Sequence, residues 1–126
     1  MRQRLKSFLR YVGASGSYVQ GGNSYYTVES HLMHRDEGHE GEALEVTTQI
    51  LGADQKRIHL FHTLLRVSDQ VVLATAEQML LHVDSKAGKA CPAKAPVLGR
   101  VLALKQAQAH LPDPAAAGRN IASLGV

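Results

Sequence analysis

The chain has 126 residues, of which 44% are apolar, and this is enough for one domain with a single hydrophobic core. Its formal net charge of +3 comes from Lys and Arg spread along the chain, so we expect small anionic ligands and no nucleic acid. The single cysteine, Cys91, excludes an internal disulfide, and the apolar stretch after residues 1–6 is too short for a signal peptide or membrane span. We therefore expect a cytoplasmic protein that makes no membrane contact.

The first predicted element is a helix over residues 2–12, which Gly13 can end. One face carries apolar residues at helical spacing, namely Leu5, Phe8, Leu9 and Val12. No capping residue precedes this helix, and Arg2 and Arg4 stand where the helix dipole favours acidic groups. Two interpretations stay open: the back half of a longer helix, or an ordinary frayed terminus.

A loop rich in Gly and Ser is predicted over residues 14–24, and four strands follow it. The strands are predicted at residues 25–35, 43–51, 57–67 and 71–84. The second strand alternates most clearly, with Leu44, Val46, Thr48 and Ile50 on one face. These segments predict a meander of four antiparallel strands.

A loop over residues 85–95 leads to a last helix over residues 96–110, with Pro96 in its first turn. The apolar side of this helix is predicted to carry Val97, Val101, Leu104 and Leu111. With no β-α-β crossover, the element order favours an α+β domain at residues 1–111, in which helices pack on a largely antiparallel sheet. Residues 112–126 have little to bury and are predicted to form a C-terminal arm.

Several segments share a pattern with a known family: LATAEQMLLHVD at 73–84 followed by Cys91-Pro92, LGADQKRIHLFH at 51–62, YTVESH at 26–31, AHLP at 109–112 and AGRNI at 117–121. They resemble hot-dog-fold acyl-CoA thioesterases, especially those related to betainyl-CoA thioesterase and to the domain fused to carnitine dehydrogenase. The resemblance implies a hot-dog fold with four to five antiparallel strands. The first helix would be the truncated end of the family's central helix, and a C-terminal helix would follow the sheet.

The family's first strand and its Asp-x-Asn-Gly-His-Met-Asn loop, which supplies the catalytic acid, have no counterpart in this sequence. We expect either a natural fragment or a start assigned too late. The resemblance implies an acyl-CoA-binding protein that hydrolyses the thioester of a small polar or quaternary-ammonium acyl group. The alternative is a non-catalytic hot-dog module for binding or assembly that has lost the catalytic segment, or a structural adaptor with no small ligand.

Two carboxylates are the candidate catalytic groups, Glu77 and Glu29. Glu77 lies in an otherwise apolar strand, where burial would raise its pKa towards that of a useful base. The alternative interpretation puts Glu77 on an exposed sheet face, or pairs it with Arg66 across a hairpin. Gln78 is predicted to face the other way.

Substrate contacts are predicted for two tyrosines and two histidines: Tyr25, Tyr26, His59 and His82. Tyr25 is expected to share a strand face with Glu29, and an aromatic ring beside a carboxylate suits a quaternary ammonium group. More ordinary roles stay open, since such tyrosines often fill a core edge and such histidines often bond to the backbone.

We expect no metal site and no required cofactor, and a metal site assembled from different strands is the alternative left open. His31 and His34 are three apart, as are His59 and His62, and on a strand that spacing sends side chains to opposite faces. Coenzyme A would enter as part of the substrate, and its phosphates could meet the basic residues Lys56, Arg57, Lys86, Lys89 and Arg119. Exposed sheet edges further predict a homodimer or a higher homo-oligomer.

Overall fold

The computed structural model describes residues 2–112 and residue 114. Within them lie three helices, α1 (Arg2–Tyr11), α2 (Ser17–Gln20) and α3 (Ala95–Ala107), and five strands, β1 (Asn23–His34), β2 (Leu44–Ala53), β3 (Arg57–Arg66), β4 (Val72–Asp84) and β5 (Lys89–Ala90). Except for positions 112 and 114, the predicted C-terminal arm lies outside the described residues, as does Arg119.

One antiparallel sheet contains all five strands, in the order β1-β4-β3-β2, with β5 paired to the end of β4. The predicted meander holds for β2, β3 and β4. It is wrong for β1, which pairs with β4 instead of β2, so that residues 35–43 cross from one edge of the sheet to the other. The two central strands, β3 and β4, are accordingly the most buried.

The main core lies between the helices and one face of the sheet, which we call the helix face. Ile58 and Leu60 of β3 and Leu80 of β4 pack there. Helix α1 contributes Phe8, the residue after it contributes Val12, and α3 contributes Val97 and Val101, as the apolar stripes of the sequence predicted. Leu111 was predicted on the same stripe but is 41% exposed, because α3 ends at Ala107 and the helical spacing stops there.

The other side of the sheet, which we call the opposite face, presents His59 and Phe61 of β3 and Glu77 and Met79 of β4, since paired residues share a face. These four side chains are also buried. The sheet thus buries apolar groups on both faces.

Two short elements lie in segments that were predicted to be loops. Helix α2 occupies four residues of the loop at 14–24, and β5 occupies two residues of the loop at 85–95. Elements this short show no sequence periodicity, so only tertiary contacts define them. Among the described helices, none is long and apolar enough to cross a membrane.

The free edge of β2 is partly covered by one side chain. The amide of Gln108 accepts a hydrogen bond from the Ile50 backbone N–H at 2.7 Å and donates one to the Thr48 carbonyl at 3.2 Å. A side-chain amide carries the same donor and acceptor as a peptide group. Gln108 therefore occupies the place of one residue of a neighbouring strand.

Candidate ligand site at the basic end of the sheet

The predicted coenzyme A contacts that lie in the described chain gather at one end of the sheet. Lys56 and Arg57 lie in and beside the β2–β3 turn, while Lys86 and Lys89 lie in and beside the β4–β5 turn. The register brings these turns to the same end, because Arg57 pairs with Leu81 near the end of β4. We call this region the basic end.

At the basic end, Arg57 forms an ion pair with Asp54. The Asp54 carboxylate accepts hydrogen bonds from the backbone N–H groups of Lys56 and Arg57 at 2.9 and 2.7 Å, and its Oδ2 lies 2.8 Å from Nη2 of Arg57. Partial burial raises the pKa of Asp54, but these hydrogen bonds outweigh it and hold the pKa below its ordinary value. The Asp54 charge therefore offsets that of Arg57.

A groove of about 430 Å³ opens at the basic end between the end of α1, helix α2 and the start of α3. Its polar and small lining residues are Gly13, Ser17, Tyr18, Asn23, Lys94 and Arg100. None of the residues that line it is Asp or Glu. We call it the α1–α3 groove.

Gly13 borders the Arg100 guanidinium group in this groove, and its backbone conformation, not the space around it, calls for glycine. A Cβ atom on Gly13 would lie 3.5 Å from Nη1 of Arg100 and 3.7 Å from Cγ2 of Val97. The φ of Gly13 is +85°, which strains any residue with a side chain. Nη1 of Arg100 also lies 3.5 Å from the Tyr11 carbonyl, so the end of α1 positions the guanidinium.

Tyr18 connects the groove to a buried histidine. The Tyr18 hydroxyl lies 2.6 Å from Nε2 of His82, and Nδ1 of His82 lies 2.9 Å from the Cys91 carbonyl. A carbonyl only accepts, so Nδ1 carries the proton and Nε2 accepts the hydrogen bond from Tyr18. The Lys94 backbone N–H donates to the Tyr18 oxygen at 3.0 Å, which ties the start of α3 to α2.

Burial keeps these groups uncharged near neutral pH. Burial lowers the pKa of His82, whose side chain is 0% exposed, and burial raises the pKa of the Tyr18 hydroxyl. The Tyr25 ring packs edge to face against His82 with centroids 4.9 Å apart, and burial raises its pKa as well. The positive charge of the groove thus comes from Lys94 and Arg100.

Glu77 lies on the opposite face, away from this groove. Its Oε1 is 2.7 Å from Nε2 of His59, and the two side chains are only 2% and 1% exposed. The alternative prediction of an exposed Glu77 or a Glu77–Arg66 pair is wrong, because Arg66 contacts Glu42 and Asp69 instead. Glu77 is buried as the catalytic hypothesis required, but it has little contact with solvent.

Glu29 and Tyr25 do not share a face, contrary to the prediction. The β1 register shifts by one residue between Thr27 and Glu29, so Tyr25 lies opposite His82 on the helix face while Glu29 lies opposite Met79 on the other. A bulge of this kind reverses the alternation of side chains. The tyrosine that shares the face of Glu29 is Tyr26, which is 50% exposed.

The two histidine pairs do point to opposite faces, as predicted. His59 contacts Glu77, whereas His62 contacts Gln78 at 2.9 Å and Thr48 at 2.8 Å on the helix face. Gln78 therefore faces away from Glu77, also as predicted. Within the described residues, no three His, Cys, Asp or Glu side chains gather closely enough to hold a metal ion.

Sequence reasoning missed three residues of the α1–α3 groove. Lys94 and Arg100 flank Val97 at intervals of three, a spacing that places residues on neighbouring parts of one helix side. The predicted helix together with this spacing would have been enough to place Lys94 and Arg100 on one side of α3. Tyr18 gave no signal, because the loop composition around it concealed the short helix α2.

The fold and these segments define a family. The chain belongs to the thioesterase-like superfamily, which matches it over residues 3–101. The hot-dog fold and the family resemblance expected from the sequence are confirmed.

Individual proteins of known name are similar to this chain over most of its length. The L-carnitine dehydrogenase/betainyl-CoA thioesterase of a Rhizobium species is 49% identical over 111 residues, which are 88% of this chain and 22% of that protein. The betainyl-CoA thioesterase of Pseudomonas aeruginosa is 44% identical over 100 residues, 79% of this chain and 63% of that protein. The chain thus spans about a fifth of the length of the fused dehydrogenase/thioesterase relatives and under two thirds of the shorter one.

A Staphylococcus aureus protein solved in complex with CoA has the same fold. Its structure superposes with a TM-score of 0.85 at 24% identity and covers 94% of this chain and 75% of that one. At this level of identity the likeness establishes the fold.

Proposed function

We propose that the chain binds acyl-CoA thioesters, with the phosphates of the coenzyme A moiety at the basic end, and that it acts in hydrolysis of the thioester. The observation that carries the proposal is the basic end itself. Lys56, Lys86 and Lys89 meet there with the α1–α3 groove, which has cationic side chains and no acidic lining residue. Such a region attracts a ligand with several phosphate charges.

The acyl group that we propose is small and carries a quaternary ammonium, as in the betainyl group that names the relatives. Tyr26 and Glu29 both lie on the opposite face of the sheet. In the pairing of β1 with β4, Tyr26 is the partner of Leu81 and Glu29 is the partner of Met79. An aromatic ring next to a carboxylate suits a quaternary ammonium group. Replacing Tyr26 by Leu keeps an apolar side chain but removes the ring, so it should weaken turnover of betainyl-CoA more than that of butyryl-CoA.

A non-catalytic binding module is the second candidate, and one observation favours it. Neither Glu77 nor Glu29 lines the α1–α3 groove; Glu77 is buried against His59 on the opposite face. A carboxylate must come within hydrogen-bond reach of the attacking water to act as a general base. On this alternative the chain holds coenzyme A thioesters without cleaving them.

Two measurements separate the candidates. Isothermal titration with coenzyme A tests binding, and thiol release over a panel of acyl-CoAs, including betainyl-CoA, tests hydrolysis. Binding with release supports the enzyme, binding without release supports the module, and no binding of any thioester rejects both. If the wild-type chain is active, unchanged hydrolysis by a folded Glu29→Gln/Glu77→Gln variant rules out a catalytic role for either carboxylate.

We also propose that the functional unit is a homodimer formed through the β1 edge. Tyr26, Val28 and Leu32 are exposed along this edge strand, which has a paired neighbour on one side only among the described residues. Unpaired edges favour strand pairing with another copy. Light scattering should give a dimer for the wild-type chain and a smaller mass for Val28→Lys; equal masses would contradict this edge as the interface.

A further inference from the structure

We infer that the α1–α3 groove is a phosphate-binding site whose cationic ligands are Lys94 and Arg100. The inference rests on the proposed function only in naming the source of the phosphate, which would be coenzyme A. It adds two residues that the sequence comparison with the family did not single out. It also assigns the groove to phosphate recognition, separate from Glu77 and Glu29.

The first argument is the charge of the groove. Arg57 and Arg66 both face carboxylates, from Asp54 in one case and from Glu42 and Asp69 in the other. In the part of the chain that the structure describes, neither Lys94 nor Arg100 forms an ion pair with a carboxylate. The charge of Lys94 interacts with that of Asp84, which does not line the cavity, so the lining itself keeps two cations and no carboxylate and attracts an anion.

The second argument is that hydrogen bonds between uncharged groups hold the backbone at one side of the cavity. The Tyr18 hydroxyl donates a hydrogen bond to His82 and accepts one from the Lys94 backbone N–H, so it fixes the start of α3. Nη1 of Arg100 lies 3.5 Å from the Tyr11 carbonyl, which places the guanidinium at the end of α1. A backbone that is held in place before binding loses less conformational entropy when a ligand arrives.

The third argument is the supply of neutral donors. The Ser17 hydroxyl and the Asn23 amide line the same cavity, and no side chain caps the first turn of α3. Phosphate accepts hydrogen bonds from such groups, while guanidinium groups bind it through paired N–H donors. The groove therefore combines charge with hydrogen-bond donors, as phosphate requires.

A further cation lies close to the groove. The aliphatic carbons of Lys86 would be only 3.2 to 3.3 Å from a Cβ atom on Gly22, whose φ is +96°. Gly22 precedes Asn23, so glycine at this position lets the Lys86 side chain pass close to the groove. Lys86, which the sequence analysis predicted to contact coenzyme A, therefore lies in the same region as Lys94 and Arg100.

The test is calorimetric titration of Lys94→Gln/Arg100→Gln beside a control, Arg35→Gln/Lys105→Gln, which removes the same charge outside the groove. The ligands are coenzyme A, dephospho-coenzyme A, pantetheine and inorganic phosphate. Because two charged hydrogen-bond donors are lost, we expect coenzyme A affinity to fall about tenfold or more in the groove variant. Pantetheine should not discriminate between the variants, and circular dichroism should match for all of them.

The ligand series separates the two sources of phosphate. If the groove takes the 3′-phosphate, dephospho-coenzyme A should bind the wild-type chain and the groove variant equally; if it takes the diphosphate, both ligands should lose affinity in the variant. Either result supports the inference. Equal coenzyme A affinity in the groove variant and the control would overturn it.

Failure of the groove and failure of the proposed function give different results. Coenzyme A binding that survives in the folded groove variant overturns the groove and leaves the proposed function standing. Inorganic phosphate binding that is lost in that variant, together with no binding of coenzyme A, supports the groove and rejects the proposed function. Absence of binding for every phosphate-containing probe rejects both.

Discussion

Two buried histidines on opposite faces of the sheet show how differently the same side chain can be used. His59 bonds to Glu77, and the pair is 1% and 2% exposed. His82 is equally buried, but through Tyr18 it reaches the α1–α3 groove, which is open to ligands. A histidine beside a carboxylate, such as His59, is a common catalytic pair. In this structure that pair is closed to solvent, and the candidate ligand site lies instead near His82, which has no carboxylate partner.

The largest expected effect concerns the stability of the His59–Glu77 pair. Glu77→Gln should lower the free energy of unfolding by about 2 kcal/mol, because it disturbs a hydrogen bond between two side chains that have almost no access to water. Urea denaturation measures the change. The matched control is Glu29→Gln, an exposed site on the neighbouring strand, which should stay within about 0.5 kcal/mol; equal losses at both sites would contradict the assigned burial.

Removing the Tyr18 hydroxyl tests the other histidine. Tyr18→Phe should cost about 1 kcal/mol, since it leaves His82 Nε2 and the Lys94 N–H without their shared partner. Coenzyme A affinity should fall at the same time, because Lys94 is held less firmly. Tyr26→Phe, the same change at an exposed ring, provides the control for stability, and a similar loss there would argue against the Tyr18 link.

A smaller effect is expected in the pH dependence of stability. Burial lowers the folded-state pKa of His82 below its ordinary value of 6.5, so on acidification the unfolded chain takes up this proton first. Stability from this group is therefore complete above the unfolded pKa and declines as the pH falls below it. Melting curves from about pH 8 to about pH 5.5 should show a shallower decline for His82→Gln than for the wild type; parallel declines would remove His82 as the cause.

The smallest effect is expected at the exposed Arg57–Asp54 pair. Arg57→Gln should change the free energy of unfolding by no more than about 0.5 kcal/mol, because solvent screens the pair and Asp54 keeps its backbone hydrogen bond from Lys56. Chemical denaturation beside Glu77→Gln gives the comparison directly. A loss as large as that of Glu77→Gln would mean that the turn depends on the ion pair.

The sequence predicted the elements that bury a regular apolar stripe. The first helix follows from its apolar stripe and the strand around Ile50 from its alternation, because periodicity reports one buried face. The pairing of β1 with β4 did not follow, because strand order depends on contacts far apart in sequence. Periodicity predicted individual helices and strands, whereas the family resemblance predicted the hot-dog fold that they form.

The candidate site was only partly predictable, for reasons that particular residues make clear. The bulge after Thr27 moved Glu29 to the other face, and a one-residue shift of this kind leaves no mark in composition. Lys86 was predicted to contact coenzyme A because of its charge, and it does lie near the groove. The charge of Arg57 alone could not reveal that Asp54 offsets it, since that depends on the geometry of the turn.

Gln108 has a consequence for solubility. A bare strand edge can seed growth of one sheet onto another, and such growth leads to aggregates. By hydrogen bonding to Ile50 and Thr48, Gln108 makes an incoming strand break two existing bonds before it can form its own. Gln108, the residue that directly follows α3, thereby protects the β2 edge from unwanted self-association.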